Sequence, residues 1–421
     1  MNNSAPSAVV TMSAPKIETV VLARECEYRV EVSVQTEVGV RLKSGSAELF
    51  GVELAIGNEY VFRDKKLAIF TWYGCTLEVR GAPEVAYTSD ETPMDSYLNI
   101  HAQLQRRREL ARAKHGAGPR VLVCGPVDSG KSTLAQILAN YALRLGEKPT
   151  FVELDVGRGC LSVPGTLAAS PLDMNSLSVA EEFILTNPLA FFYGYTAPTE
   201  NVELFRYQQQ RLATAVKRRL ANDEEVNASG CVVNTGGWVD GVGFDLLVHA
   251  IQDLEVDVVL VIGQDRLFSR LQSALGGASP PAEGSSNAVD RSIVKLARSG
   301  GVVPLSSKLR SAARLSRIRE YFYGAHSLSV PIPTLSPCIN EFSFDDVSLF
   351  AIKVTLALDC CDGMYADMKV SDVMLPVGQT ESQMDRFKEI READQKLVLL
   401  VPSPGPLPSR NLLLGSIKWM E

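Results

Sequence analysis

The stretch that decides the fold is Gly125-Pro126-Val127-Asp128-Ser129-Gly130-Lys131-Ser132, which matches the phosphate-binding pattern G-x-x-x-x-G-K-[ST]. Before it, the apolar run Arg120-Val121-Leu122-Val123-Cys124 has the length and composition of a buried parallel strand. After it, residues 133–142 are apolar at helical spacing. Strand, glycine loop and helix therefore follow in the order that a phosphate site requires. This context disfavours the alternative of a chance Gly/Ser turn.

The chemistry of this loop follows from its residue types. Glycines let backbone N–H groups turn inward around phosphate oxygens, and the N-terminus of the following helix adds positive potential. Lys131 has the reach to contact the β- and γ-phosphates, and the Ser132 hydroxyl can ligate Mg²⁺. The sequence therefore predicts a bound nucleoside triphosphate with magnesium.

Composition narrows the class of protein. The 421 residues are 46% hydrophobic and 22% charged. The net charge of −7 argues against a protein that binds nucleic acid over its whole surface. We find no run of 18 apolar residues, and therefore expect no membrane span. The eight cysteines form no C-x-x-C pair, and the four histidines lack metal-ligand spacing. These features favour a reduced compartment, the cytosol or nucleus.

The pattern of strands and helices predicts three domains. Residues 1–16 read as a disordered tail, residues 17–100 as an N-terminal β-sandwich, and residues 326–421 as a C-terminal β-rich domain. Between them, residues 119–325 alternate strands and helices, which predicts a central P-loop NTPase-like domain with a doubly wound parallel sheet. The predicted fold class is thus α/β.

A linker helix is predicted over residues 101–118, joining the first two domains. It carries a basic cluster, Arg106-Arg107-Arg108 with Arg112 and Lys114. Such a run is usually a solvated helix face, and RNA contact is the alternative.

Three further features are candidates for chemistry. Asp155 ends the second predicted strand of the central domain, where it can coordinate Mg²⁺ or accept a proton from an attacking hydroxyl; a plain turn aspartate is the alternative. Trp238 follows the third strand and can stack a nucleobase or pack in the core. A spaced basic series can act as a lid over the phosphates or as a salt-bridged surface helix: Arg310, Arg314, Arg317 and Arg319.

Several strings resemble the eukaryotic polynucleotide 5′-hydroxyl kinase family, with the nearest match to its pre-mRNA cleavage-complex subunit. They cover nearly the whole chain: Phe70-Thr71-Trp72-Tyr73-Gly74-Cys75, Glu84-Val85-Ala86-Tyr87, Val152-Glu153-Leu154-Asp155-Val156-Gly157, Thr235-Gly236-Gly237-Trp238, Arg317-Ile318-Arg319-Glu320-Tyr321-Phe322-Tyr323-Gly324 and Pro402-Ser403-Pro404-Gly405-Pro406-Leu407-Pro408. They are far more specific than the phosphate loop alone.

The resemblance implies bound ATP·Mg²⁺ and a nuclear role in the cleavage of pre-mRNA before polyadenylation, inside a complex of cleavage and polyadenylation subunits. Some relatives instead phosphorylate RNA 5′ ends and associate with tRNA splicing endonuclease. The site residues that it implies are Glu27, Lys66, Asp128, Ser129, Gly130, Lys131, Ser132 and Thr133 for ATP, Ser132 and Asp155 for the metal, Lys131, Asp155 and Arg310 for catalysis, and Thr196 and Trp238 for RNA.

The chain also departs from the family pattern. Arg158 stands where relatives have glutamine, and Leu305 stands where a second lid arginine is expected. The C-terminal domain is shorter than usual, with the charged segment 381–395 where strands are expected. Losing a cation near developing phosphoryl charge would weaken turnover and leave ATP binding intact.

The sequence therefore supports two functions, which differ in whether the chain is an enzyme. The first is an ATP-binding assembly factor of pre-mRNA 3′-end cleavage, of the RNA 5′-hydroxyl kinase type. The second is a working polyribonucleotide 5′-hydroxyl kinase in tRNA splicing or RNA repair. A GTPase is disfavoured because no Asn-Lys-x-Asp string follows a strand.

Overall fold

Short strands form the first domain in a computed structural model, which describes residues 16–185, 188–276 and 291–324 and five strand segments further on. In chain order they are β1 Ile17–Leu22, β2 Cys26–Val32, β3 Val38–Gly45, β4 Glu48–Leu49, β5 Val52–Glu53, β6 Glu59–Phe62, β7 Lys65–Thr71, β8 Cys75–Arg80 and β9 Val85–Ser89. They pair antiparallel in two sheets, ordered β1-β8-β3-β6 and β5-β4-β7-β2-β9. Alternate side chains of both sheets meet in one apolar core, so this domain is a β-sandwich.

Helix α1, Met94–Ala113, follows the sandwich and begins before the predicted range 101–118. Three of its arginines bond to oxygens of the central domain: Arg107 to Asp257 at 3.1 Å, Arg108 to the Ser229 carbonyl at 3.0 Å and Arg112 to Glu147 at 2.5 Å. The prediction of a solvated face is wrong for Arg108, which is 1% exposed. The basic cluster docks α1 onto the central domain, because a buried guanidinium needs oxygen partners.

A seven-stranded sheet organises the central domain. Its strands are β10 Arg120–Cys124, β11 Thr150–Glu153, β12 Thr166–Pro171, β13 Leu189–Phe192, β14 Cys231–Asn234, β15 Val258–Ile262 and β16 Ser292–Leu296, in the spatial order β13-β12-β11-β14-β10-β15-β16. Five adjacent strands, β11, β14, β10, β15 and β16, run parallel, as expected for a doubly wound sheet. The strands β12 and β13 run antiparallel at one edge, so the sheet is mixed and not wholly parallel.

The helices of the central domain are α2 Lys131–Arg144, α3 Val202–Asn222, α4 Glu224–Ser229, α5 Val242–Asp253, α6 Asp265–Gly276 and α7 Ser307–Tyr323, with short 3₁₀ turns at Met174–Ser176 and Pro198–Glu200. The helices α1 and α2 pack in the core on one face, and α3, α5 and α6 pack in the core on the other. The carboxyl ends of β10, β11 and β14 therefore meet at one edge, which is where α/β sheets bind ligands. In the described ranges no helix is both long and apolar enough to cross a membrane.

Strand segments beyond residue 337 are β17 Cys338–Ser343, β18 Phe350–Ile352, β19 Met374–Pro376, β20 Lys396–Val401 and β21 Ser416–Ile417. The β17 strand pairs antiparallel with β20, and β20 with β21, while β18 pairs with β19. Residues 1–15 of the predicted tail 1–16 and the charged segment 381–395 lie outside the described residues.

Candidate nucleotide and phosphate site

The phosphate loop joins the carboxyl end of β10 to the first turn of α2. Gly125 has a φ of +152°, and a Cβ there would lie 2.7 Å from the Ile262 carbonyl oxygen. Gly130 has a φ of +92° at the N-terminus of α2, and Asp128 has a φ of +54° within the loop. Left-handed residues between right-handed ones turn successive N–H groups toward one side, which makes a concave anion site.

Lys131 fills the inside of this loop. Its side chain is buried, and Nζ donates a hydrogen bond to the Pro126 carbonyl oxygen at 2.7 Å. Burial lowers the pKa of Lys131, and the negative charge of Asp155 opposes that shift. The ammonium is therefore held where an anion in the loop would contact it.

Ser132 and Asp155 lie beside Lys131 at the ends of α2 and β11. The Ser132 hydroxyl oxygen accepts a hydrogen bond from Asn234 Nδ2 at 3.1 Å, and Asn234 also bonds to the buried carboxylate of Glu153. Asp155 Oδ1 accepts the Gly157 N–H at 3.0 Å. Burial raises the pKa of Glu153 to about 7, and the neighbouring Asp155 charge adds to the shift.

Helix α7 closes over the phosphate loop from its N-terminal end. Arg310 pairs with Asp128 at 2.5 Å, and the Leu305 N–H donates to the same carboxylate oxygen at 3.1 Å. A Cβ at Gly130 would lie 3.2 Å from the side chain of Val302. The segment 302–310 thus contacts the loop, and Leu305 contributes a backbone donor where its side chain brings no charge.

Two other arginines of the basic series, Arg314 and Arg317, contact groups outside the phosphate loop. Arg317 pairs with Glu182 at 3.0 Å and with Glu320 at 3.4 Å, and Arg314 bonds to the Ser311 hydroxyl. The first turn of α7 therefore contacts the phosphate loop through Arg310, and a later turn forms ion pairs through Arg317, because different turns of one helix face different surroundings.

The loop after β14 packs against the phosphate loop. A Cβ at Gly237 would lie 2.7 Å from the backbone nitrogen of Val127. The half-buried Trp238 packs on the core beside Gly243, so its side chain is covered in part and accessible in part. The exposed Thr196 lies across the Asp155 turn, where its carbonyl oxygen would be 3.1 Å from a Cβ at Gly157.

A charged row on the sandwich faces the central domain. The register of β2 and β7 sets Glu27 opposite Phe70, and Glu31 opposite Lys66, on one sheet face. Glu27 is buried and accepts a hydrogen bond from Arg29 Nε at 2.8 Å. Lys66 pairs within its own sheet with Glu31 at 2.7 Å, whereas the adjacent Lys65 donates across to the Ala180 carbonyl.

Arg29 is a site residue that the sequence analysis did not identify. A Cβ at Gly301 would lie 2.6 Å from Arg29 Nε, so this guanidinium packs directly on the segment that continues to Val302 and the phosphate loop. The period-two alternation of β2, which places Glu27 and Arg29 on one face, is the signal that identifies it.

Of the remaining predicted positions, Ser129 and Thr133 lie on the loop and in the first turn of α2. The buried Ser129 Oγ has no hydrogen-bond partner among the described residues. The structure thus brings Lys131, Ser132, Asp155 and Arg310 together at one edge of the sheet.

Family comparisons agree with this geometry. A family model described as mRNA cleavage and polyadenylation factor CLP1 P-loop matches residues 125–324, and one described as N-terminal beta-sandwich domain of polyadenylation factor matches residues 21–111. The chain belongs to the CLP1 family. The predicted family is therefore confirmed, and membership supports a nucleotide-using role in RNA processing, of the cleavage-factor and kinase type.

Relatives of the CLP1 family match over almost the whole chain. A protein CLP1 homolog of Arabidopsis thaliana is 39% identical over 100% of this chain and 98% of its own length. The polyribonucleotide 5′-hydroxyl-kinase Clp1 of Homo sapiens is 37% identical over 95% of this chain and 96% of its own length. A solved structure of wild-type Clp1p with Pcf11p is 25% identical, with a TM-score of 0.71 over 94% of this chain and 96% of that one.

Proposed function

We propose that this CLP1-family chain is an ATP·Mg²⁺-binding RNA-processing factor of the RNA 5′-hydroxyl kinase type, required for the cleavage of pre-mRNA before polyadenylation. The observation that supports it most directly is the closed phosphate loop. Lys131 lies inside the loop, Ser132 and Asp155 lie beside it, and Arg310 covers it through Asp128.

The residues of this edge fit a nucleotide with its metal. The loop dihedrals and the unpartnered Ser129 hydroxyl offer donors to phosphate oxygens. In the described residues no group of three or more His, Cys, Asp or Glu side chains could hold a metal alone. This agrees with Mg²⁺ bound by Ser132 and Asp155 together with phosphates, since Mg²⁺ usually takes one or two protein ligands there.

Each side chain then has a defined task. Bound ATP·Mg²⁺ would supply an activated phosphoryl group. Lys131 neutralises phosphate charge from inside the loop, and Arg310 does so from α7. On the sandwich, Glu27 and Lys66 hold the nucleotide, and Arg29 keeps the Glu27 carboxylate in place.

The second candidate, an active polyribonucleotide 5′-hydroxyl kinase, is favoured by the surroundings of Asp155. Its carboxylate lies at the mouth of the site beside Thr196 and the loop of Trp238. Asp155 would take the proton from the RNA 5′-hydroxyl, the Trp238 ring would stack on the first RNA base, and Thr196 would contact the RNA backbone. The uncharged Leu305 side chain predicts slower transfer than a second arginine would give.

Partners follow from the same family. The similar solved structure is a Clp1p complex with Pcf11p, and we propose subunits of the cleavage and polyadenylation complex as partners of this chain, in the nucleus. Association with tRNA splicing endonuclease belongs to the second candidate. The RNA 5′ end is the proposed ligand in both cases.

Three measurements on the same pair of proteins distinguish the two candidates: label transfer from ATP, ATP binding and reconstituted 3′-end cleavage. Purified chain and Lys131→Ala are incubated with γ-labelled ATP, Mg²⁺ and a 5′-hydroxyl oligoribonucleotide, and ATP binding is measured in parallel by calorimetry. Binding without label transfer, together with loss of reconstituted 3′-end cleavage in Lys131→Ala, supports the first candidate. Label transfer supports the second. Absence of ATP binding by the unaltered chain overturns the proposal.

A further inference from the structure

A buried chain of hydrogen bonds runs from β11 through β14 to the phosphate loop. Asn234, at the end of β14, donates from one amide nitrogen to two groups. Nδ2 lies 2.9 Å from each oxygen of Glu153 and 3.1 Å from the Ser132 hydroxyl oxygen. Glu153 and Asn234 are both almost fully buried, at 1% and 0% exposed. These hydrogen bonds therefore lie in a low-dielectric interior, where hydrogen bonds are strong and unpaired polar groups cost free energy.

The partners of Glu153 are all donors. Besides Asn234, the carboxylate accepts the Asp155 N–H at 2.8 Å and the Cys160 thiol at 2.8 Å. Only a group whose two oxygens both accept can satisfy all three. A glutamine at this position would turn an N–H₂ group toward at least one donor and leave that donor unpaired.

Glu153 thereby decides which way the Asn234 amide faces. Rotating that amide by 180° would set Oδ1 against the carboxylate oxygens of Glu153, a contact between two acceptors. In the observed orientation Nδ2 serves Glu153 and Ser132 together, and Oδ1 has no partner among the described residues. The amide orientation thus depends on Glu153, and the bond to Ser132 depends on the amide orientation.

The bond from Asn234 fixes the orientation of the Ser132 hydroxyl. With one lone pair of Oγ occupied by Asn234, the hydroxyl is held in one rotamer at the start of α2. Its other lone pair is left for a cation at the loop, and the orienting donor prevents the hydroxyl from turning away.

We infer that Glu153 is a positioning residue for the metal: through Asn234 it holds the Ser132 hydroxyl in the orientation that ligates the divalent cation of the bound nucleotide. This inference rests on the proposed function, because it assigns Ser132 to a nucleotide-bound cation. It adds two residues, Glu153 and Asn234, that neither touch phosphate nor ligate the metal themselves.

Nucleotide affinity with and without magnesium tests the inference by binding alone. ATP dissociation constants are measured by calorimetry in excess EDTA and in excess Mg²⁺, and their ratio is the Mg²⁺-dependent gain. For Glu153→Gln we expect this gain to fall by about 10-fold or more, while the affinity in EDTA stays near that of the unaltered chain, since loss of a group that orients a metal ligand typically weakens metal binding 10–100-fold.

Glu147→Gln is the matched control. Glu147 is another buried carboxylate of the central domain, 3% exposed, and it bonds to Arg112 and Gln105 beyond the C-terminal end of α2. The 14-residue helix separates it from the loop by about 20 Å. We expect Glu147→Gln to lower the melting temperature and to leave the Mg²⁺-dependent gain unchanged.

A second variant keeps the test decisive if Glu153→Gln does not fold. Asn234→Ala should lose the same gain, and the double variant should lose no more than either single change, because the two residues act in series. Retention of the gain in Glu153→Gln or Asn234→Ala, or losses that multiply, would overturn the inference. An unaltered chain that binds ATP without any gain from Mg²⁺ also overturns it and leaves nucleotide binding standing.

Discussion

Substituting alanine for Gly237 should displace the phosphate loop, and the neighbouring Gly236 supplies a control with the same chemical change. A Cβ at Gly237 would meet Val127 at three atoms, Cγ2 at 2.5 Å and Cα and N at 2.7 Å. A Cβ at Gly236 would come no closer than 3.9 Å, to Asp155 Oδ1. Neither glycine has a positive φ, so alanine is compatible with the backbone at both positions.

The size of the effect follows from these contacts. Ordinary van der Waals contact begins at 3.4 Å, so Gly237→Ala requires a movement of about 1 Å. Two of the three atoms belong to the Val127 backbone, so the loop itself has to move, and trimming Val127 to alanine relieves little. Overpacking of this kind costs about 1–3 kcal/mol. A displacement of about 1 Å at reacting groups lowers rates about 100-fold.

Nucleotide binding and melting temperature measure both consequences. We expect Gly237→Ala to weaken ATP binding about 10-fold or more and to lower any phosphoryl transfer about 100-fold. We expect Gly236→Ala to stay within about 3-fold in both measurements. Equal ATP affinities for the two variants would refute the reasoning, because the only designed difference between them is the contact with Val127.

Three further substitutions test the arginine over the phosphate loop, the buried Glu182 ion pairs and the proposed RNA contact of Trp238. Arg310→Ala should reduce phosphoryl transfer at least 10-fold in a label-transfer assay, whereas Arg314→Ala, which loses a bond to the Ser311 hydroxyl, should not; equal rates would contradict the lid role. Burial alone would raise the pKa of Glu182, but its ion pairs with Arg158 and Arg317 lower that pKa from 4.5 to about 2. The ionised carboxylate therefore stabilises the fold above pH 4.5, and this contribution is lost as the pH falls toward 2. Glu182→Gln should therefore lower the free energy of unfolding by roughly 3 kcal/mol at pH 7 and by almost nothing near pH 2, and a difference independent of pH would exclude this cause. Trp238→Ala should weaken binding of a 5′-hydroxyl oligoribonucleotide about 10-fold in fluorescence anisotropy with ATP affinity unchanged, and parallel losses of both would favour a purely structural tryptophan.

Local patterns carried the central prediction. The strand, the glycine loop and the first turns of α2 are contiguous along the chain, and each has its own signature in composition and spacing. The parallel core of the sheet follows from alternating strands and helices. The strands β12, β13 and β16 were not identified from the sequence, because short runs such as Leu189–Phe192 carry little periodicity and find their neighbours only in the folded sheet.

Side-chain partners escaped it for another reason. Arg108 reads as part of a solvated basic run, yet it is buried against the Ser229 carbonyl, 121 positions away. The resemblance implies that Lys66 is a nucleotide ligand, but it does not reveal that Lys66 also pairs with Glu31 across the strands. Spacing along one element does not reveal which oxygen a long cationic side chain meets.

By itself, the sequence determined that a phosphate-loop motif stands at the start of one helix, since a glycine loop between a buried strand and that helix is a local arrangement of neighbouring residues. Only the tertiary structure decided that Arg310 closes on Asp128, and that Glu153 reaches Ser132 through Asn234. These groups lie on separate elements, and hydrogen bonds of about 3 Å between them exist only after the sheet and its helices have packed.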